Sequence, residues 1–335
     1  MKKLFLTSLY LILCFVVIAC SSDSKHFGLV IIAPDFEVNG QGENIDSIGF
    51  WEAADASNTL MFVTAKGNSL VEIWKYPFIN NEQEPLIHPT FANSQVNGIW
   101  LDQQNDFLYI AIANPSSTIS VFKCPDLEFV MNFNKEGADL RSEPNVTLLK
   151  RNDGKKLVYV SADHIVFIHD AETGEFLGEF KPTAGLETMA GDEFYQVLYI
   201  PDENDRTGIY VYKPDGSPYY KNGTNVFADS SIMDEDGVGV ILYKIFEQFD
   251  DSGEGFIVVA DQRKTLTDFE FFDRKTWEHL GTLRIEGVSN TDGIASTQQV
   301  LPDYPMGLLA VLNDDTSVVG VGWDRIFKAL GIEMN

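Results

Sequence analysis

Short apolar runs alternate with polar turns along almost the whole chain, and they come in pairs. Leu60-Met61-Phe62-Val63 is followed by Trp74-Lys75-Tyr76, Phe107-Leu108-Tyr109-Ile110-Ala111 by Ser120-Val121-Phe122, and Leu157-Val158-Tyr159-Val160 by Val166-Phe167-Ile168. The figure returns as Val197-Leu198-Tyr199-Ile200 with Ile209-Tyr210-Val211-Tyr212, as Phe256-Ile257-Val258-Val259 with Phe269-Glu270-Phe271-Phe272, and as Leu308-Leu309-Ala310-Val311 with Val321-Gly322-Trp323. The runs have strand length and are rich in Val, Ile, Tyr and Phe, the residues a pleated surface favours. Asn68-Ser69, Asn152-Asp153-Gly154 and Pro214-Asp215-Gly216 punctuate them as turns. The units recur at roughly 40–60 residues, the repeat length of propeller blades. One such sheet cannot bury both of its faces alone, so six units imply radial stacking around an axis. The pattern therefore predicts an all-β, six-bladed β-propeller. Helical spacing occurs only over Trp323–Leu330, which predicts a short C-terminal helix. No linker or low-complexity stretch divides the chain, so residues 29–335 read as one domain.

The N-terminal stretch breaks the pattern. Lys2 and Lys3 precede an apolar run from Leu4 to Ala19, too short to span a bilayer as a stable helix and shaped like a secretory signal. It ends Val17-Ile18-Ala19-Cys20, which resembles a bacterial lipobox. The expectation is a signal peptide over 1–19, a lipidated Cys20 and a tether over 20–28, with an uncleaved membrane anchor as the alternative. No Asp directly follows Cys20, which resembles sorting to the outer membrane or cell surface, and the only membrane contact expected is the lipid. Cys124 then stands alone, and no disulfide is expected. The five histidines are scattered, with neither an HExxH pair nor a CxxC, so nothing points to zinc.

Charge adds a second constraint. The formal balance is −26, and −28 once Lys2 and Lys3 leave with the signal. A field of that sign repels nucleic acid and anionic lipid, so no nucleic-acid partner is expected. Most of the acids must simply be solvated. Some sit in contexts a plain surface does not need, and converging carboxylates would suit a hard cation such as Ca²⁺. Glu187 lies between apolar neighbours, Asp234 and Asp236 alternate as they would on one face of a strand, and Asp46 and Asp292 each precede apolar residues. Asp292-Gly293 also reads as an ordinary hairpin turn, and Asp234 and Asp236 as loop acids. Asp202-Glu203-Asn204-Asp205 lacks the spacing and terminal Glu of an EF-hand and reads as a turn.

Several segments, in order and spacing, resemble the β-propeller phytases, the calcium-dependent alkaline phytases. Leu186-Glu187-Thr188-Met189-Ala190-Gly191-Asp192-Glu193 is similar to the family's T-E-G-M-A-A-D-D-E, and Asp234-Glu235-Asp236-Gly237-Val238 to its D-I-E-G-L. Ala260-Asp261-Gln262 resembles S-S-Q, Asn290-Thr291-Asp292-Gly293-Ile294 resembles D-T-D-G-I, and Pro302-Asp303-Tyr304-Pro305-Met306-Gly307-Leu308 resembles P-E-Y-P-x-G-L. Trp323-Asp324-Arg325-Ile326 matches the closing W-E-R-I, and Asp46-Ser47-Ile48-Gly49-Phe50-Trp51 echoes D-D-P-A-I-W.

The resemblance implies a 3-phytase-like phosphomonoester hydrolase, acting on myo-inositol hexakisphosphate or another organic phosphate with Ca²⁺ at the axial mouth. It implies metal ligation by Asp46, Glu187, Asp234, Asp236, Gln262, Asp292 and Asp314, with Glu187 and Asp236 closest to the catalytic step. Lys66 corresponds to a family lysine, and Arg263 and Lys264 are local substitutes for phosphate contact. The physics suits it: bound cations reverse the field an incoming polyanion feels and lower the pKa of water, with no nucleophile elbow or Walker loop competing. The chain departs from the family at Ser47 and Asn290, where Asp is usual, and lacks its basic residues in the second and third blades. The other reading is a non-catalytic surface lipoprotein that binds a ligand or partner. A monomer is expected in either case.

Overall fold

The computed structural model of the chain describes residues 27–79, 84–88, 91, 94–141, 143–203, 208–233 and 236–334. The expected signal segment, Cys20, the tether up to residue 26, and Asp234 lie outside the described residues. The remainder is a six-bladed β-propeller. Each strand pair read from the sequence forms the second and third strands of one blade. These are Leu60–Ala65 with Leu70–Lys75, Phe107–Ile112 with Thr118–Lys123, Lys156–Ala162 with Ile165–Asp170, Val197–Pro201 with Ile209–Tyr212, Asp250–Arg263 with Leu266–Asp273, and Leu308–Asn313 with Ser317–Gly322.

The innermost strands of blades 1 to 6 are Ile45–Trp51, Val96–Asp102, Val146–Lys150, Ala190–Asp192, Asp236–Glu247 and Ile294–Thr297. Outermost strands close blades 1 to 5: Leu86–His88, Glu128–Phe133, Phe176–Phe180, Val226–Phe227 and His279–Ile285. Blade 6 takes its outermost strand from the start of the chain, Phe36–Asn39 running antiparallel to Ser317–Gly322. Leu29–Ile32 adds a fifth, parallel strand to blade 5 beside His279–Ile285.

Six apolar clusters form the core, each filled mainly by side chains of two neighbouring blades. The middle strands are therefore covered on both faces, and consecutive residues such as Phe62 and Val63 are both fully buried. That is why these strands read as continuous apolar runs rather than alternating ones. The helix α1 spans Trp323–Leu330, as its spacing predicts. It buries Trp323, Ile326, Phe327 and Leu330 against the cluster shared by blades 5 and 6, with Tyr243 edge-on to Phe327 at 4.8 Å. Gly331 ends it in the left-handed region at φ 69°.

The six innermost strands surround a channel of about 500 Å³, walled by residues such as Ile48, Phe50, Leu101, Val240 and Ile294. Glycines let these strands come close. A Cβ on Gly98 would lie 2.5 Å from the Asn145 Cα of blade 3, and one on Gly191 would lie 2.4 Å from the Leu148 carbonyl. The starts of the innermost strands gather at one end of the axis, called the upper end below, and their finishes gather at the lower end.

Candidate functional site at the acidic upper mouth

Bulges shape the upper ends of three innermost strands. The register shifts between Ile45 and Ile48 in blade 1, between Val96 and Ile99 in blade 2, and between Gly237 and Gly239 in blade 5. A bulge bends its strand and re-aims the side chains beside it. Asp46 and Ser47 thus leave the ladder, with the Ser47 hydroxyl donating to Asp46 Oδ2 at 3.1 Å and the Thr64 hydroxyl accepting the Ser47 N–H. In blade 4 the segment before Ala190–Asp192 is pinned at two points. Gly185 N–H donates to Asp202 Oδ1 at 2.7 Å, and the Thr188 hydroxyl donates to the Val238 carbonyl of blade 5 at 2.5 Å. Glu187 lies between those pins. Asp292 is not in a hairpin turn; it lies in the connection that leads into the innermost strand of blade 6.

These elements bring one lysine into a set of acids. Lys66, buried in the turn after Leu60–Ala65, places Nζ 2.8 Å from Asp46 Oδ1, 3.2 Å from Glu143 Oε1 and 3.7 Å from Asp292 Oδ2. Burial alone would lower the Lys66 pKa; Asp46, Glu143 and Asp292 outweigh it and hold the ammonium charged. Burial raises the Asp46 carboxyl above the usual carboxylate range, with Lys66 opposing. Asp292 is pushed up to about 6, first by burial and then by Asp315, against Lys66 and a Gln262 Nε2 hydrogen bond of 2.6 Å to its Oδ1. Glu187 is raised well above the ordinary value by burial and by Asp292, Glu203 and Asp46. Burial also raises Glu203, helped by Glu143 and Asp236, and Asp315, helped by Asp314 and Asp46. Several carboxylates thus share one field with a single ammonium among them, and such groups ionise together only with added positive charge.

Of the residues expected from the sequence, Asp46, Lys66, Glu187, Gln262 and Asp292 meet here, and Asp236 pairs in register with Gln262. Gln262 joins through its amide nitrogen. Asp314 is exposed, and its neighbour Asp315 is the one coupled to Asp292. Arg263 Nη2 is engaged by Asp261 at 3.1 Å and Asp268 at 2.8 Å, while Lys264 is exposed in the adjacent turn. Asn97, Glu143, Glu203 and Asp315 also belong to this mouth, and none of them stands out as a site residue in the sequence pattern. Asn97 occupies the same second position of its innermost strand as Asp46 does, a signal visible only once the blades are aligned. Asp202-Glu203 is more than a turn: Asp202 braces the Glu187 segment, and Glu203 joins the shared field.

A cavity of about 10 Å³ sits among Asp46, Asn97, Glu143, Glu187 and Asp292, about the room one water or small ion needs. Asn97 is 1% exposed, and neither its amide nitrogen nor its oxygen has a hydrogen-bond partner. A polar group so placed costs about 1–3 kcal/mol unless something satisfies it. The oxygen-rich donor set fits a hard cation in kind. Among the described residues, however, no three His, Cys, Asp or Glu side chains are already grouped as metal ligands, and the Lys66 ammonium stands where the acids converge. The channel offers space with few titratable groups; the mouth offers those groups in little space.

The architecture defines the class of protein, a six-bladed β-propeller with an acidic axial mouth. No protein-family model matches the chain. A solved structure similar to it is a chain of the crystal structure of the mitotic checkpoint complex, with TM-score 0.54 and 10% sequence identity over 93% of this chain and 98% of that one. Likeness at that identity bears on the fold alone.

Proposed function

We propose that the upper mouth is a Ca²⁺ site and that the protein is a calcium-dependent phosphomonoester hydrolase of the β-propeller phytase kind. The observation that carries the reading is the set of carboxyls raised by burial and mutual repulsion around Asn97, whose buried amide has no partner. Asp46, Glu187 and Asp292, with the Asn97 amide oxygen, would hold the ion, and Asp315 would act on it through Asp292. Bound calcium supplies positive charge to attract a phosphate ester and to activate water. Lys66 would then turn from its carboxylate partners towards a substrate phosphate, keeping its proton.

The test is phosphate release from myo-inositol hexakisphosphate and from simple phosphomonoesters, with and without Ca²⁺, beside a calcium titration by calorimetry. The reading expects binding and release that both depend on Ca²⁺, and both weakened together in Glu187→Gln. Failure to bind calcium and to release phosphate from any ester sinks it. One observation favours a second reading, a non-catalytic ligand-binding propeller: Lys66 and Arg263 are both engaged by carboxylates. Calcium binding without phosphate release from any ester supports that reading.

A further inference from the structure

The two ends of the propeller differ in chemistry. The acids of the candidate site crowd the upper end, and none of the exposed large apolar side chains among the described residues lies in an upper loop. Phe194, Tyr220, Phe246, Phe249 and Val300 all sit in turns or strand ends at the lower end. The lower end is also uneven. The innermost strand of blade 5 runs for 12 residues against 3 to 7 in the other blades. At about 3.3 Å per residue its hairpin reaches roughly 15 Å beyond the others.

The tip of that hairpin is chemically odd. Gln248 and Phe249 form a two-residue turn with φ of 50° and 80°, which Asn and Gly adopt with least strain. A bulky residue there is an outlier, and Phe249 is 100% exposed, so packing within the domain does not account for it. Phe246, just before the turn, is 52% exposed.

The chain also enters the fold at this end of the same blade. Phe27 N–H bonds to the Leu280 carbonyl, and Leu29–Ile32 runs parallel to His279–Ile285, a strand that starts at the lower end. From Cys20 to Phe27 the chain spans at most roughly 25 Å when fully extended. A lipid on Cys20 would therefore hold the lower end close to a bilayer, within the hairpin's reach.

We propose that the lower end of the propeller lies on the lipid surface that carries the Cys20 anchor, with Phe246 and Phe249 inserted at the headgroup boundary. The acidic mouth then faces away, into the solvent from which a soluble ligand arrives. The proposal rests on the lipid expected at Cys20 and is independent of what the mouth binds. The net charge of −28 left once Lys2 and Lys3 depart favours a surface of neutral headgroups over an anionic one.

The test uses the full lipidated chain in phosphatidylcholine vesicles, with a nitroxide on Phe249→Cys or, as the upper-end control, on His164→Cys in the exposed turn between the two middle strands of blade 3. Cys124 is buried and stays unlabelled. The expected result is a label at 249 that is several-fold less accessible to a water-soluble nickel chelate than the label at 164, yet more accessible to oxygen. Equal chelate access at the two positions overturns the proposal, as does failure of the chain to stay on the vesicles. Shielding of 249 from chelate and oxygen alike overturns it in favour of a second copy of the chain on this surface.

Discussion

Asp292 shows how the mouth stores charge. Its pKa of about 6 in the folded protein lies above the ordinary 3.8, so the folded state keeps a proton that the unfolded chain has released. The stability this gives is complete below about pH 4 and is lost as the pH rises through about 6. In calcium-free buffer the melting temperature should therefore fall between about pH 4 and pH 6.5, and Asp292→Asn should make the fall shallower while raising the value at pH 7.5 by about 2–4 °C. Thermal unfolding followed by circular dichroism checks this, and an unchanged slope in the variant refutes it. The calcium proposed for the mouth predicts that added Ca²⁺ raises the wild-type value more at pH 7.5 than at pH 5, since ion and proton would compete for the same oxygens. Asp46, Glu187 and Asp292 were legible in the sequence because each sits just ahead of or at the start of an apolar run. Glu143 was not: it meets Lys66 across 77 positions of chain, a closeness only the ring creates. Asp315 was missed by one residue, in a turn where Asp314 and Asp315 both have positive φ but only Asp315 is partly buried.

Between elements, one buried ion network ties blade 4 to blade 5. Arg274 is fully buried and donates to both Asp192 oxygens at 2.7 and 2.6 Å and to both Asp251 oxygens at 2.6 and 2.8 Å. Removing Asp192 strips the buried Arg274 of two charge-assisted hydrogen bonds and leaves its charge to Asp251, so Asp192→Ala should destabilise the fold by about 3–5 kcal/mol in urea unfolding while leaving the calcium binding proposed for the far mouth unchanged. A loss below about 1 kcal/mol would show that water reaches the pair and screens it. Nothing in the sequence announced this network, for Asp192 and Arg274 lie 82 positions apart. The middle strands of every blade were legible because they are covered on both faces. The innermost strands were not: those of blades 3, 4 and 6 have only 3 to 5 residues, those of blades 1, 2 and 5 are interrupted by bulges, and glycines sit where neighbouring backbones crowd. Ala190–Asp192, three residues long, carries almost no strand signal.

For the molecule as a whole, the surplus of acids acts on the compact state. Like charges confined to one globule repel, and salt screens them over about 10 Å at 0.1 M. Raising sodium chloride from low to near-molar concentration should increase the melting temperature by several degrees, in wild type and in Asp292→Asn alike. A flat response would mean that the charges are already spaced well enough to need no screening. The radial architecture was legible as a count of units; what the sequence hid was how the circle is joined. Phe36–Asn39 completes the blade that ends near residue 322, so a strand made near the start of synthesis must wait for almost the last. Until then the terminal sheet has a bare edge, and the long loop-closure distance makes its pairing a late step. A chain stalled before blade 6 is thus an open arc with an unmated border, and only the meeting of its two extremities shuts it.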